Sequence, residues 1–322
     1  PTFRDLEYNV VNVRHYLSTL ETWQAAMEAW EVLMFYAMQE LERFYDWAES
    51  VRTPENRGGL YSWQSLIHVD RCSFQRNSAG DGGAVFIYRI ADGVERFVDC
   101  GFADNCSSGQ GGAFTSKGYD LTLSLELTDC VLARNTAMGG PGGAIHMQAT
   151  SLVMDGVTIS ANSCAMEGII NARDGSTLSI ANSTFADNVA AAGDPEGAAI
   201  HLTDGVPADI SSTIVATTSG GSSIVCTGEA AATLTCCNLF GNDGGDWTGC
   251  VVDQLGVTGN VSEDPLFCGD ASSEGFYTLH SNSPCAPDWS PYGCGLIGAW
   301  GVGCSSTPVR VRSWGAIKAL FR

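Results

Sequence analysis

The chain has 322 residues, 44% hydrophobic and only 16% charged, which excludes wholesale disorder and allows about two domains or one elongated one. Its 36 acidic against 16 basic residues leave a net charge of −20, which argues against sequence-independent nucleic-acid binding and against an anionic membrane surface as partner. No run of about 18 uncharged apolar residues occurs, so no transmembrane helix is expected. The 13 cysteines show no C-x2-C zinc spacing and read as those of a secreted chain with several disulfides, and Pro1 in place of methionine reads as the start of a processed or partial chain.

The first element in chain order is helical. Tyr16, Leu20, Trp23, Met27, Trp30, Met34, Met38, Leu41 and Tyr45 recur every three or four residues without Gly or Pro, and Thr53-Pro54 ends the pattern. Residues 1–53 are read as an amphipathic helical cap over the open end of the repeat region that begins at residue 54. Docking of this helix to a partner, or oligomerisation through it, is the alternative reading.

From residue 54 to 304 a repeat takes over. An apolar residue is followed three positions later by asparagine at Phe74/Asn77, Phe102/Asn105, Leu132/Asn135, Ile159/Asn162, Phe185/Asn188 and Leu239/Asn242, with Ile214/Thr217 as a substitute. A second column comes after each pair: Gly82-Gly83-Ala84-Val85, Gly111-Gly112-Ala113-Phe114, Gly142-Gly143-Ala144-Ile145 and Gly197-Ala198-Ala199-Ile200, with Gly58-Gly59-Leu60-Tyr61 as a degenerate member. Each unit holds three short strands between turn residues and has no room for a crossover helix. The fold class predicted is an all-β solenoid, a right-handed parallel β-helix of about seven to nine turns. Asn77, Asn105, Asn135, Asn162, Asn188 and Asn242 are expected to form a buried amide ladder, one per turn. Cys72, Cys100, Cys130 and Cys237 are read as small apolar residues stacked in the core.

The F-x-x-N element followed by G-G-A-[ILVF] resembles the repeat of polymorphic outer membrane proteins, found also in bacterial secreted right-handed β-helix proteins. It covers about residues 56–245. The resemblance implies a pectin-lyase-like solenoid that is secreted or displayed on a bacterial surface. It leaves function open, because such solenoids serve as adhesins, passengers, lyases and structural proteins.

Residues 246–304 hold D-P-L-F at 264–267, S-P-C at 283–285 and G-L-I-G-A at 295–299, similar to the closing turns of many such proteins. Trp247, Phe267, Phe276, Trp289 and Trp300 are expected to close the end of the core. Cys226, Cys236, Cys250, Cys268, Cys285, Cys294 and Cys304 are the candidate disulfide cysteines, with Cys268–Cys285 and Cys294–Cys304 the favoured pairs, although connectivity does not follow from sequence. Residues 305–322 carry Arg310, Arg312, Lys318 and Arg322 and no acid, and are read as a basic tail outside the fold or as an export or attachment signal.

No catalytic constellation is evident: Asn-Thr-Asp, Gly-His-Gly and Arg-x-Lys are all missing. The position after the inward residue of each G-G-A strand carries Ser62, Phe86, Thr115, His146, Asn171, His201 and Val225. Alternation turns this column outward, so Thr115, His146, Asn171 and His201 are the candidate ligand-binding stripe, suited to an extended extracellular glycan or a surface protein. His146 and His201 lie two turns apart, about 9–10 Å, too far to share a metal. Asp99 and Asp129 share a column, which leaves Ca2+ as the one cofactor considered. The expected role is structural or adhesive. A polysaccharide lyase or glycoside hydrolase acting on an acidic or neutral polysaccharide, and a passenger fragment assembling through its N-terminal helix, are the alternatives.

Overall fold

The computed structural model describes residues 58–64, 66–88, 93–118, 123–191, 193–269 and 277–305. The expected cap at 1–53, the basic segment beyond residue 305 and Phe276 lie outside these residues.

The described chain is an all-β parallel solenoid. Each turn contributes one strand to each of three seven-stranded parallel sheets. The first sheet runs Leu60–Trp63, Val85–Tyr88, Phe114–Lys117, Ile145–Gln148, Gly168–Arg173, Ala198–Leu202 and Ser222–Cys226. The second runs from His68–Asp70 to Ala231–Thr235, and the third from Ser73–Gln75 to Asn238–Phe240. The three strands per turn match the expectation. A fourth strand of two residues, too short to leave a pattern in sequence, comes after the asparagine in the first four turns: Ser78–Ala79, Cys106–Ser107, Thr136–Ala137 and Ser163–Cys164.

Inward positions alternate with outward ones along each strand, so the F-x-x-N residues fill the axis. Phe102, Leu132, Ile159, Phe185, Val215 and Leu239 are fully buried, and Phe74 and Phe102 stack with centroids 5.0 Å apart. Each such side chain is worth about 1.5–3 kcal/mol of burial. Pairing of Phe185 with Val215 shifts one expected member: the substitute turn is Val215/Thr218, not Ile214/Thr217.

The asparagine ladder is present. The Nδ2 of Asn77, Asn105, Asn135 and Asn162 donates to the Oδ1 of Asn105, Asn135, Asn162 and Asn188, at 2.9, 2.9, 2.9 and 3.2 Å. The second amide hydrogen goes to the carbonyl of the F-x-x-N residue one turn back, as from Asn135 to Phe102 at 2.9 Å. Each Oδ1 also accepts a backbone N–H of the preceding turn, as from Asn105 to Asn135 at 3.1 Å. Thr218 interrupts the ladder, and its buried Oγ1 has no partner. Beyond it Asn242 Oδ1 accepts from Thr218 N at 3.0 Å.

The Cys72 column is buried in the apolar core as expected at Cys100, Cys130 and Cys237, and it also makes hydrogen bonds. It stands at the corner between the second and third sheets, where Cys100 and Cys130 donate to Val98 O and Thr128 O, both at 3.2 Å. Ser183 and Thr213 occupy the same place in later turns and donate to Ala181 O and Ser211 O, both at 2.7 Å. Cys72 itself is exposed.

Past Asn242 the chain closes the core with Trp247 and Val251, the latter on a 3-10 helix at Gly249–Gln254, and Cys226–Cys250 staples this end. Residues 258–261 add one further partial turn, in which Val261 lies parallel to Asn238 and donates its N–H to Cys237 O at 2.9 Å, but, contrary to the expectation from their motifs, the D-P-L-F, S-P-C and G-L-I-G-A segments take a different path. They fold back over the outer face of the third sheet, where Leu279, Cys285 and Ile297 form a second apolar cluster with Ile214 and Ala216. Trp289 is 63% exposed and closes nothing. Gly298 N donates to Ser212 O at 2.8 Å, Ala299 N to Thr184 Oγ1 at 2.9 Å and Trp300 Nε1 to Thr158 Oγ1 at 2.7 Å, so this strap crosses three successive turns. Its path also corrects the disulfides: the pairs are Cys236–Cys294 and Cys268–Cys304, while Cys285 is a buried free thiol.

Candidate functional site

The expected ligand stripe forms one column in register, but Tyr61 rather than Ser62 begins it: Leu60 pairs with Val85 and Tyr61 with Phe86, and Thr115, His146, Asn171, His201 and Val225 continue the row. These side chains point away from the core, as alternation requires. They are nevertheless sealed: Thr115 and Asn171 are fully buried, and His146 and His201 are each 1% exposed. The turn entering each strand covers the column. Thr115 Oγ1 donates to Gln110 O at 2.9 Å, and a Cβ on Gly111 (φ +65°) would meet Phe114 O at 2.0 Å and Thr115 Oγ1 at 2.3 Å. The column is therefore a buried polar ladder and not the expected contact surface.

The ladder is held by a carboxylate absent from the sequence-based candidates. Asn171 Nδ2 donates to Glu167 Oε2 at 2.5 Å, and Arg173 Nη2 reaches both Glu167 oxygens at 3.0 and 3.1 Å. An ionised Glu167 fixes the amide with its NH2 toward the carboxylate, so Asn171 Oδ1 faces His146 Nδ1 at 2.9 Å. His146 then carries its proton on Nδ1. Burial, with Arg173 and Lys117 nearby, pushes the His146 pKa down to about 4. His201 Nδ1 lies 3.0 Å from Asn171 Nδ2 and 3.3 Å from Glu167 Oε2. These contacts to His201 and Arg173 hold the Glu167 carboxyl below its usual range against the opposing effect of burial. Glu167 stands in the turn column of Gly82, Gly111 and Gly142 and shares their left-handed backbone, with φ of +55°, a conformation that costs a side-chain-bearing residue about 1 kcal/mol or more.

The solvent-facing part of this sheet is the next outward column, two residues along each strand: Trp63, Tyr88, Lys117, Gln148 and Arg173, in register on five successive turns. None is fully buried. At one end the rings of Trp63 and Tyr88 stack at 4.6 Å and those of Tyr61 and Phe86 at 5.3 Å, nearly parallel in both cases. Lys117 Nζ lies 5.6 Å from the Phe86 centroid and 3.2 Å from Asp81 Oδ2. Lys117 and Arg173, the two cationic side chains on this sheet's described strands, are thus each fixed by an acid from the adjoining turn. The signal for this column is present in the sequence: it lies at i+2 from the predicted stripe and so on the same face.

The Asp99 and Asp129 column continues to Arg71, which pairs with its neighbour Asp70 at 2.8 Å. With Asp70, Gly156 and Trp300 these residues line a cavity of about 710 Å³. Among the described residues no group of three or more His, Cys, Asp or Glu side chains is placed to hold a metal, and no helix is long and apolar enough to cross a membrane. Comparison of the chain with protein-family models, with curated proteins and with solved structures finds no match.

Proposed function

We propose that the chain is a secreted or surface-displayed glycan-binding solenoid, and that the outer face of its first sheet holds the glycan. The observation that carries this reading is the Trp63–Tyr88–Lys117–Gln148–Arg173 column, with Tyr61 and Phe86 beside it. The edges of these stacked rings offer a sugar apolar contact. Paired ions and an amide offer hydroxyls donors and acceptors whose positions are already fixed. The buried Thr115–His146–Asn171–His201 ladder beneath acts as support: it orients Glu167 and Arg173 but has no surface to offer a ligand. The three disulfides accord with an oxidising, extracellular setting.

A glycan array probed with the whole protein tests the reading, followed by calorimetry on the best binders. The expected result is binding that weakens about tenfold or more on Tyr88→Ala or Phe86→Ala, with the thermal midpoint little changed. Binding indifferent to both substitutions places the ligand elsewhere. New reducing or unsaturated ends in the same samples support a lyase or hydrolase instead.

A further inference from the structure

Resting on the glycan-binding reading, we infer that the ligand of this face is a neutral, extended, β-linked glycan seated with one sugar per solenoid turn. Three observations carry the inference. The five column residues are in register on adjacent parallel strands, so they form a straight row with a step of about 4.8 Å. An extended β-linked chain of pyranoses advances by roughly one such step per sugar and stays straight. An α-linked chain curves and leaves a straight row after two or three sugars. Charge then selects within the extended chains. Lys117 is matched by Asp81 and Arg173 by Glu167, Glu196 stands beside His201, and the chain as a whole carries −20. A polyanion meets no unmatched cation in this column and is repelled at longer range. Hydroxyl groups, in contrast, match the spare donors of Lys117 and Arg173 and the amide of Gln148. The rings at Trp63 and Tyr88 occupy one end only, which gives the row a direction: sugars against apolar ring edges at the first two turns, hydrogen-bonded sugars at the next three.

The test is calorimetry of the intact protein with four series of increasing length: cello-, xylo- and malto-oligosaccharides and oligogalacturonates. The expected result is affinity for a β-linked neutral series that rises with each sugar up to about five and then levels off. Tyr88→Ala should weaken every length by about tenfold or more, whereas Gln148→Ala should weaken only the longer members. Gln148 is partly exposed, so its truncation leaves the fold intact and keeps the length test valid. Equal or tighter binding of malto-oligosaccharides overturns the extended-chain inference. Preference for oligogalacturonate overturns the neutral one. In both of those cases sensitivity to Tyr88→Ala leaves the glycan-binding face standing. Failure of all four series to bind, together with an empty glycan array, overturns both.

Discussion

Asn171 holds His146 and Glu167 at once: its Oδ1 meets His146 Nδ1 at 2.9 Å, and its Nδ2 donates to the Glu167 carboxylate. Burial keeps the imidazole neutral inside the wall of the solenoid, against the opposing effect of the Asn171 contact. In the unfolded chain His146 binds a proton near its ordinary value of 6.5, but in the folded chain only near 4. Between those values the unfolded state holds more protons. The histidine's contribution is therefore complete above pH 6.5 and disappears as the pH falls to about 4, a loss of roughly 3 kcal/mol. The lowered pKa of Glu167 acts in the same direction. Urea midpoints measured from pH 7 to 4 should fall, and His146→Asn should flatten the decline.

Removal of one amide from the ladder should cost more than an ordinary hydrogen bond. Asn162 accepts from both the backbone N and the Nδ2 of Asn135 and donates to Leu132 O and Asn188 Oδ1. Asn162→Ala leaves buried groups unsatisfied on two neighbouring turns, and a loss of about 3 kcal/mol or more is expected in denaturant unfolding. A loss below about 1 kcal/mol would show that water replaces the amide.

The interruption at Thr218 suggests the opposite change. Its Oγ1 is buried without a partner, between Asn188 and Asn242 in the same column. Thr218→Asn should join the two parts of the ladder and raise stability by about 1 kcal/mol, read as a higher thermal midpoint.

Thiol chemistry separates the seven free cysteines. Burial pushes the pKa of Cys130, Cys237 and Cys285 up to about 12 and that of Cys164 up to about 11. These should resist alkylation until the chain unfolds, whereas exposed Cys72 should be labelled first. Peptide mapping without reductant should recover Cys226–Cys250, Cys236–Cys294 and Cys268–Cys304.

The solenoid is legible in the sequence because its determinants repeat within one turn: Phe102 and Asn105 set a corner that Leu132 and Asn135 set again. Register slips by one at Tyr61, because the first turn has one residue fewer between its glycines and its inward side chain, Leu60. The burial of His146 is hidden for a different reason. Alternation says which face of a strand a side chain takes, but it carries no information about a turn that folds over that face. Glu167 escapes notice because it interrupts a glycine column, and a broken pattern reads as decay until its partners are seen. Two of the three disulfides depend on the strap, and its path over the third sheet has no periodicity to reveal it.

That strap also acts as a ruler. Gly298, Ala299 and Trp300 each find a partner on a different turn, at Ser212, Thr184 and Thr158. A duplicated turn placed before residue 150 would lengthen the rod and leave every one of these contacts in place. The same insertion between residues 160 and 210 would move Thr158 one step out of Trp300's reach. The strap thus fixes the count of the last turns and sets no limit on the first ones.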